Sequence, residues 1–290
     1  MNTTMPSDGS VPARDAVIPR RGPDWGRLAA YAILILITIA YLGPMLMLVL
    51  TAFKTLPEFT KDATALPTSI SLDNFFEAWD KANFPRYLLN TVIYTIASTV
   101  VFVVSGTFLA LAIARRFVRG AGPLFTLFLI ALFLPAALIP QFQLILRLGL
   151  YNNPIGYIML FVVNPIGIVI LVNYIRTIPI ELDEAAAMEG CGYLRYVLSI
   201  VLPLASPAIA TVAVLHAIGI WNELILATIY LTSADFYPIT RGLIVFNGVY
   251  GNNWPLLAAA VLMMALPMVV FFIIAQRWII GGVTAGAVKG

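Results

Sequence analysis

Charge is what this sequence has least of. Only 11% of its 290 residues are Asp, Glu, Lys or Arg, against 61% hydrophobic residues, where a soluble globular domain averages about 25% charged. So little polar surface cannot cover a water-soluble globule of this length. One cysteine, Cys191, excludes an intrachain disulfide framework. One histidine, His216, leaves no histidine cluster for a metal site. There is no H-E-x-x-H, no G-x-S-x-G and no G-x-x-x-x-G-K-[ST], so neither hydrolase chemistry nor a phosphate-binding P-loop is written into this chain. Gly190-Cys191-Gly192 continues as Tyr-Leu-Arg and is not a dinucleotide fingerprint. The net charge of +3 is too small, and too spread along the chain, to suggest nucleic acid.

What is abundant is uninterrupted apolar sequence. The runs are continuous, not the alternating segments of about ten residues that a membrane β-barrel would show. The fold class expected is therefore all-α and polytopic in a membrane. Six spans are expected, at about Leu28–Leu50, Leu88–Ala112, Pro123–Phe142, Ile155–Ile175, Leu204–Leu231 and Trp254–Ile280. The third is broken by Pro135 and Pro140, and the fourth has Pro165 inside. Residues 1–27 are polar and rich in Pro and Gly, and read as a disordered cytosolic tail. They do not read as a secretory signal, because the run after them is too long.

Lys and Arg set the orientation. With the N-terminus inside, eleven fall on the cytosolic side, among them Arg115, Arg116, Arg119, Arg176 and Arg195, and six fall outside. The rule favours both termini in the cytosol. The outer segments are then Thr51–Tyr87, with a short helix at Asp73–Ala82, Gln143–Pro154, and the aromatic, Gly-rich Thr232–Asn253, whose aromatics read as interface anchors.

This topology puts residues 176–203 in the cytosol. The stretch DEAAAMEGCGYLRYVLSIVLP is unlike its surroundings. Pro179 suits a first helical turn, Glu181, Asp183 and Glu184 complement the helix dipole, and Ala185-Ala186-Ala187 favours helix. Gly190 and Gly192 permit backbone angles that other residues resist. A second helix, Tyr193–Ile200, is expected to end before Pro203. Small alanines and Met188 at three- and four-residue spacing fit a helix seated in a partner's groove. Four acids fit poorly with a helix resting on anionic lipid.

The spacing E-A-A, three residues, G, nine residues, I, one residue, L-P places Glu184, Ala185, Ala186, Gly190, Ile200, Leu202 and Pro203. It resembles the EAA loop of permease subunits in binding-protein-dependent ABC importers. Trp221-Asn222-Glu223 resembles an element of the fifth span in carbohydrate permeases, and QRWIIGGVTAGAVKG, from Gln276, resembles the ending of the maltose-type shorter permease. The resemblance implies a multi-pass subunit of a prokaryotic inner membrane, with residues 28–87 as first span and outer loop and 88–290 as permease core. It implies a second, non-identical permease subunit, two ATPase subunits and an extracytoplasmic sugar-binding protein. It implies no cofactor and no catalytic residue in this chain: ATP and Mg would be bound by the partner ATPase. Glu184, Ala185, Ala186, Met188, Gly190, Ile200, Leu202 and Pro203 would then form the ATPase-coupling elbow.

Polar groups inside spans are costly and are functional candidates by default. Asn90, Gln141, Asn173, Trp221, Asn222 and Glu223 are candidates for the solute pathway, with Glu223 prominent as a carboxylate within an apolar run. Asn164 also qualifies, and His216 reads better as structural glue between helices. An ion-coupled secondary transporter is the competing function, although one candidate carboxylate and no clear inverted repeat argue against it.

Overall fold

The computed structural model describes residues 25–81, 83–248 and 251–287. The chain divides into two compact units, one ending at Met47 and the other beginning at Leu48. The expected tail thus falls largely outside the described residues, and helix α1, Trp25–Ala52, starts three residues before the expected Leu28. At 28 residues, α1 is longer than the roughly 20 needed to span a bilayer. It is apolar on every face, as suits a membrane span.

In the second unit a capped loop follows. Thr55 and Glu58 close a capping box on α2, Leu56–Lys61. The buried Lys54 Nζ donates to the carbonyls of Asp62 and Ala63 at 3.2 and 2.8 Å. Helix α3 spans Asp73–Lys81, and the expected last residue, Ala82, lies outside the described residues. It packs against the last helix through Ala78.

Helix α4, Phe84–Ala114, is the central element, packed on the helices before, after and across from it. Three of the expected spans are not continuous helices. The third is α5, Ala121–Ala131, then an irregular stretch containing Pro135, then α6, Leu138–Arg147. Pro135 has no N–H to continue the ladder, and Pro140 falls in the first turn of α6, where none is needed. The fourth is α7, Pro154–Met159, and α8, Pro165–Thr177. Pro165 opens α8 instead of lying inside a helix. Asn164 caps α8, its Oδ1 accepting from Gly167 N at 3.2 Å.

Next come α9, Glu181–Met188, and α10, Tyr193–Tyr196. The second elbow helix does not stop before Pro203. It continues through a π-helical turn, Val197–Val201, into α11, Leu202–Trp221. Leu202 N–H bonds the Val197 carbonyl, five residues back. This widened turn accommodates a proline that would break an ordinary α-ladder.

The fifth expected span also breaks. Helix α11 ends at Trp221, residues 222–224 are irregular, and α12 covers Ile225–Tyr230. Helix α13, Ile239–Gly242, and a two-residue ladder of β1, Asn247–Gly248, with β2, Gly251–Asn252, precede α14, Trp254–Ala287. Among the described residues four helices are long and apolar enough to cross a membrane. A bent pair, α8 with α9 at 73°, would make a fifth by composition alone. The three acids in the first turn of α9 argue against placing it in hydrocarbon.

The largest core cluster joins Phe102, Ala110, Leu111 and Ile113 of α4 with Ile168, Leu171, Val172 and Ile175 of α8. Ala186, Tyr196, Val197, Val201, Ala205, Ala208 and Val212 complete it. A second gathers Tyr94, Ile145, Tyr157, Ala227 and Tyr230. Among the described aromatics of the 232–253 segment, Tyr237 lies tilted at 5.9 Å from Tyr87 and carries Arg241 over its ring at 4.7 Å. Phe246 is buried.

Candidate functional site

The elbow is built by backbone geometry first. Helix α9 ends in a complete Schellman closure: Cys191 N–H bonds Ala186 O at 2.9 Å, and Gly190 N–H bonds Ala187 O at 3.1 Å. This requires Gly190 in the left-handed region, at φ +67°, and open space surrounds the position where a Cβ would stand. Gly190 is needed for its backbone, not for room. Gly192, at φ −65°, has a conformation any residue can adopt, so the expectation of two permissive glycines holds for one. Pro179 precedes the helix instead of lying in its first turn, because the Ile178–Ile180 bend turns the chain before α9 begins.

One face of the elbow is fixed and the other is free. Ala186, Tyr196 and Val197 are buried in the main core, with Cys191 and Ile200 packed at its margin. Met188 is 89% exposed, and Tyr193, Leu194 and Leu198 are exposed beside it. Glu181, Glu184, Ala185, Ala187 and Glu189 are exposed as well. The result is an apolar patch rimmed by acids on a rigid seat. Of the elbow candidates, Glu184, Ala185, Met188 and Gly190 lie on the free side. Ala186 faces inward, Leu202 is partly buried against the core, and Pro203 lies beyond the π turn.

A partly buried ion pair seats the elbow. Arg115 Nε lies 2.7 Å from Asp183 Oδ2, and Tyr196 Oη donates to Asp183 Oδ1 at 2.6 Å. In the sequence Arg115 is one topology charge among several and Asp183 one helix-dipole acid among several. No local signal distinguishes them from Arg116 or Glu184, since their pairing depends on which helix end meets which turn.

The pathway candidates do not converge. Asn90 Nδ2 donates to the carbonyls of Asp235 and Tyr237 at 2.9 and 3.0 Å, tying α4 to the 232–253 segment. Gln141 is half-buried on α6, and Asn173 is exposed on α8. Asn222 Nδ2 turns back to Ile218 O at 2.9 Å. Glu223 is not within a helix. Its Oε1 accepts from Leu226 N at 2.9 Å and its carbonyl accepts from Thr240 Oγ1 at 2.8 Å, so it caps a helix break. Such breaks persist at membrane depth only where protein satisfies the freed backbone groups.

Two of the candidates line sizeable spaces: Asn90 borders an open one of about 500 Å³ with Asn83, Arg86 and Leu89, and Trp221 a larger, mostly apolar one. A cavity of about 650 Å³ lies between α4, α11 and α14, with Thr95, Thr99, Pro267 and Phe271 on its walls. Trp221 Nε1 and the Thr95 and Thr99 hydroxyls are buried there with no hydrogen-bond partner. Nothing in the sequence sets these threonines apart from other span hydroxyls, although their four-residue spacing puts them on one helix face. His216 is indeed placed as glue: its ring lies 4.5 Å from that of Phe102.

A bundle of broken and continuous apolar helices with a seated elbow defines a membrane transport component. Residues 80–281 match the model of the binding-protein-dependent transport system inner membrane components, and the chain belongs to that family. It is 32% identical to the melibiose/raffinose/stachyose import permease protein MelC of Bacillus subtilis, over 88% of this chain and 94% of that one. It is 32% identical to the arabinooligosaccharides transport system permease protein AraQ of Halalkalibacterium halodurans, over 85% and 91%. It is 34% identical to the osmoprotective compounds uptake permease protein GgtD of Synechocystis, over 77% and 76%. A chain from the crystal structure of a bacterial ABC transporter that imports the polysaccharide alginate shares the fold, with TM-score 0.79 and 22% identity, covering 87% of this chain and 95% of that one.

Proposed function

We propose that this chain is one permease subunit of an ATP-driven carbohydrate importer of a prokaryotic inner membrane. Residues 88–290 form the permease core. The chain crosses six times, the crossings being α1, α4, α5 with the stretch after it, α7 with α8, α11 with α12, and α14, and both termini lie in the cytosol. A separate ATP- and Mg-binding ATPase, two copies per transporter, docks on residues 176–203. A second, non-identical permease completes the pathway, and an extracytoplasmic binding protein delivers the sugar. The chain itself carries no catalytic residue.

The observation that carries this reading is the two-sided elbow: Ala186, Tyr196 and Val197 anchored in the core, Met188 and Leu194 presented outward. Exposed apolar side chains rimmed by polar ones mark a protein contact. The carbohydrate assignment is supported by the saccharides in the names of MelC and AraQ. Contact with solute by Trp221 is supported by its place on the wall of the 650 Å³ cavity, and Asn90 and Glu223 hold neighbouring chain ends through backbone hydrogen bonds.

The test is co-purification and uptake. The chain expressed with its neighbouring transporter genes should capture an ATPase subunit, and Met188→Asp should abolish capture while leaving the chain folded in the membrane. Unchanged capture by that variant would refute the elbow as the docking site. Uptake that persists without ATP and follows a proton gradient would refute the importer class.

A further inference from the structure

Three segments meet at one carboxylate beneath the core. Arg115 ends α4, Asp183 lies in the first turn of α9, and Tyr196 closes α10 and leads through the π turn into α11. Arg115 Nε and Nη2 reach Asp183 at 2.7 and 3.2 Å, and the same Nη2 donates to Ile178 O at 3.0 Å, in the bend before α9. Tyr196 Oη completes the carboxylate's shell at 2.6 Å.

The Arg115 side chain is 6% exposed and that of Asp183 18%. Taking such charges out of water is costly, and an apolar pair of the same volume often does as well for stability. Topology does not require the burial either, because Arg116 and Arg119 stand exposed in the same short turn. What an apolar pair would not supply is direction. The guanidinium is held at both ends of the bend, Nη2 bonding the carboxylate and the Ile178 carbonyl while Nε lies in ion-pair contact with the second carboxylate oxygen, and this charged contact fixes where the carboxylate sits. It joins the elbow to α4 at a point where hydrophobic packing alone would let surfaces slide.

We propose that Arg115, Asp183 and Tyr196 form a strut that makes the elbow, the end of α4 and the start of α11 move as one rigid body, so that displacement of the elbow by the ATPase is delivered to both helices. This rests on the elbow being the ATPase docking site. These are positioning residues: they touch neither solute nor nucleotide.

The experiment uses the complete transporter in proteoliposomes with its binding protein, and reads ATPase capture, ATP hydrolysis and solute uptake at equal protein. Asp183→Asn and Arg115→Gln should retain capture and hydrolysis but lower uptake per ATP by about tenfold, as loss of a buried charged contact allows. Tyr196→Phe, which removes one hydrogen bond, should lower it by about threefold or less. In a Cys191→Ala background, Arg115→Cys with Asp183→Cys should be uncoupled when free, and a short thiol-to-thiol linker between the two positions should restore uptake. Restoration is a readout that mere destabilisation would not give. An unchanged ratio in Asp183→Asn, or a linker that blocks uptake, would overturn the strut, the latter by showing that the elbow pivots against α4. Failure of the docking reading looks different: capture would then be indifferent to Met188→Asp, whatever Asp183 does.

Discussion

Asn164 and His216 meet side chain to side chain, Nδ2 to Nδ1 at 2.9 Å, across two helices separated by 52 residues of chain. The same Asn164 side chain caps α8 through its oxygen. One amide thus joins the start of α8 to the middle of α11, where the His216 ring lies against Phe102. Asn164→Ala should lose both contacts and lower the unfolding free energy by about 2–3 kcal/mol, as a cap and a buried hydrogen bond together require. Asn164→Ser, which can still cap, should cost about half of that. Thermal unfolding of the purified chain in detergent separates the two; equal losses would mean that the cap contributes nothing and the His216 contact carries the whole effect.

Gly190 should respond to backbone preference and not to size alone. With open space at the Cβ position and φ at +67°, Gly190→Ala should cost about 1–2 kcal/mol of elbow stability, and Gly190→Asn less, since asparagine tolerates the left-handed region. Hydrogen exchange at the Cys191 amide, which closes the Schellman turn onto Ala186, reports the effect directly. If alanine and asparagine behave alike, the closure is not what requires glycine.

Gly167 presents the opposite case. A Cβ there would stand 2.8 Å from Phe102 Cε1 and 2.9 Å from Val212 Cγ1. Gly167→Ala should destabilise by about 1–3 kcal/mol through overpacking. Phe102→Leu in the same chain should recover part of it, giving a coupling energy of about 1 kcal/mol in a double-mutant cycle. Simple additivity would show that α4 and α8 do not approach as closely as described.

The capped loop after α1 should depend on pH. The Thr68 hydroxyl and the Thr55 amide hold the Glu58 carboxyl below its ordinary range, and the Thr64 hydroxyl and amide do the same for Asp62. Carboxyls depressed in the fold stabilise it above the ordinary carboxylate value of about 4 and lose that contribution as pH falls through the depressed values. Residues 55–68 should therefore stay protected at neutral and mildly acidic pH and loosen only below about pH 4. Limited proteolysis with an acid-stable protease would detect the change. Loosening already at pH 6 would point to another group.

Much of this molecule was written in short-range pattern. The apolar runs mark the long helices, because roughly 20 residues without charge have few other fates. The E-A-A…G…I-x-L-P spacing marks the elbow, and Gly190 could be located from sequence because a helix stop needs a left-handed residue at one defined place. The prolines marked two of the breaks, at Pro135 and Pro165, because they cannot continue a helix. The break at Glu223 had no such mark, and it is tolerated only where a distant donor, Thr240 for the Glu223 carbonyl, satisfies the exposed backbone.

The sequence by itself therefore determined the membrane class, the main helices and the position and closure of the elbow, all of which follow from local propensity and the cost of polar groups in hydrocarbon. The tertiary structure decided which charge is buried, which amide is a cap and which tryptophan faces a cavity. Arg115 resembles Arg116 until α9 folds beneath α4. A buried charge is stable only with its partner in reach, and here that partner lies 68 residues along the chain.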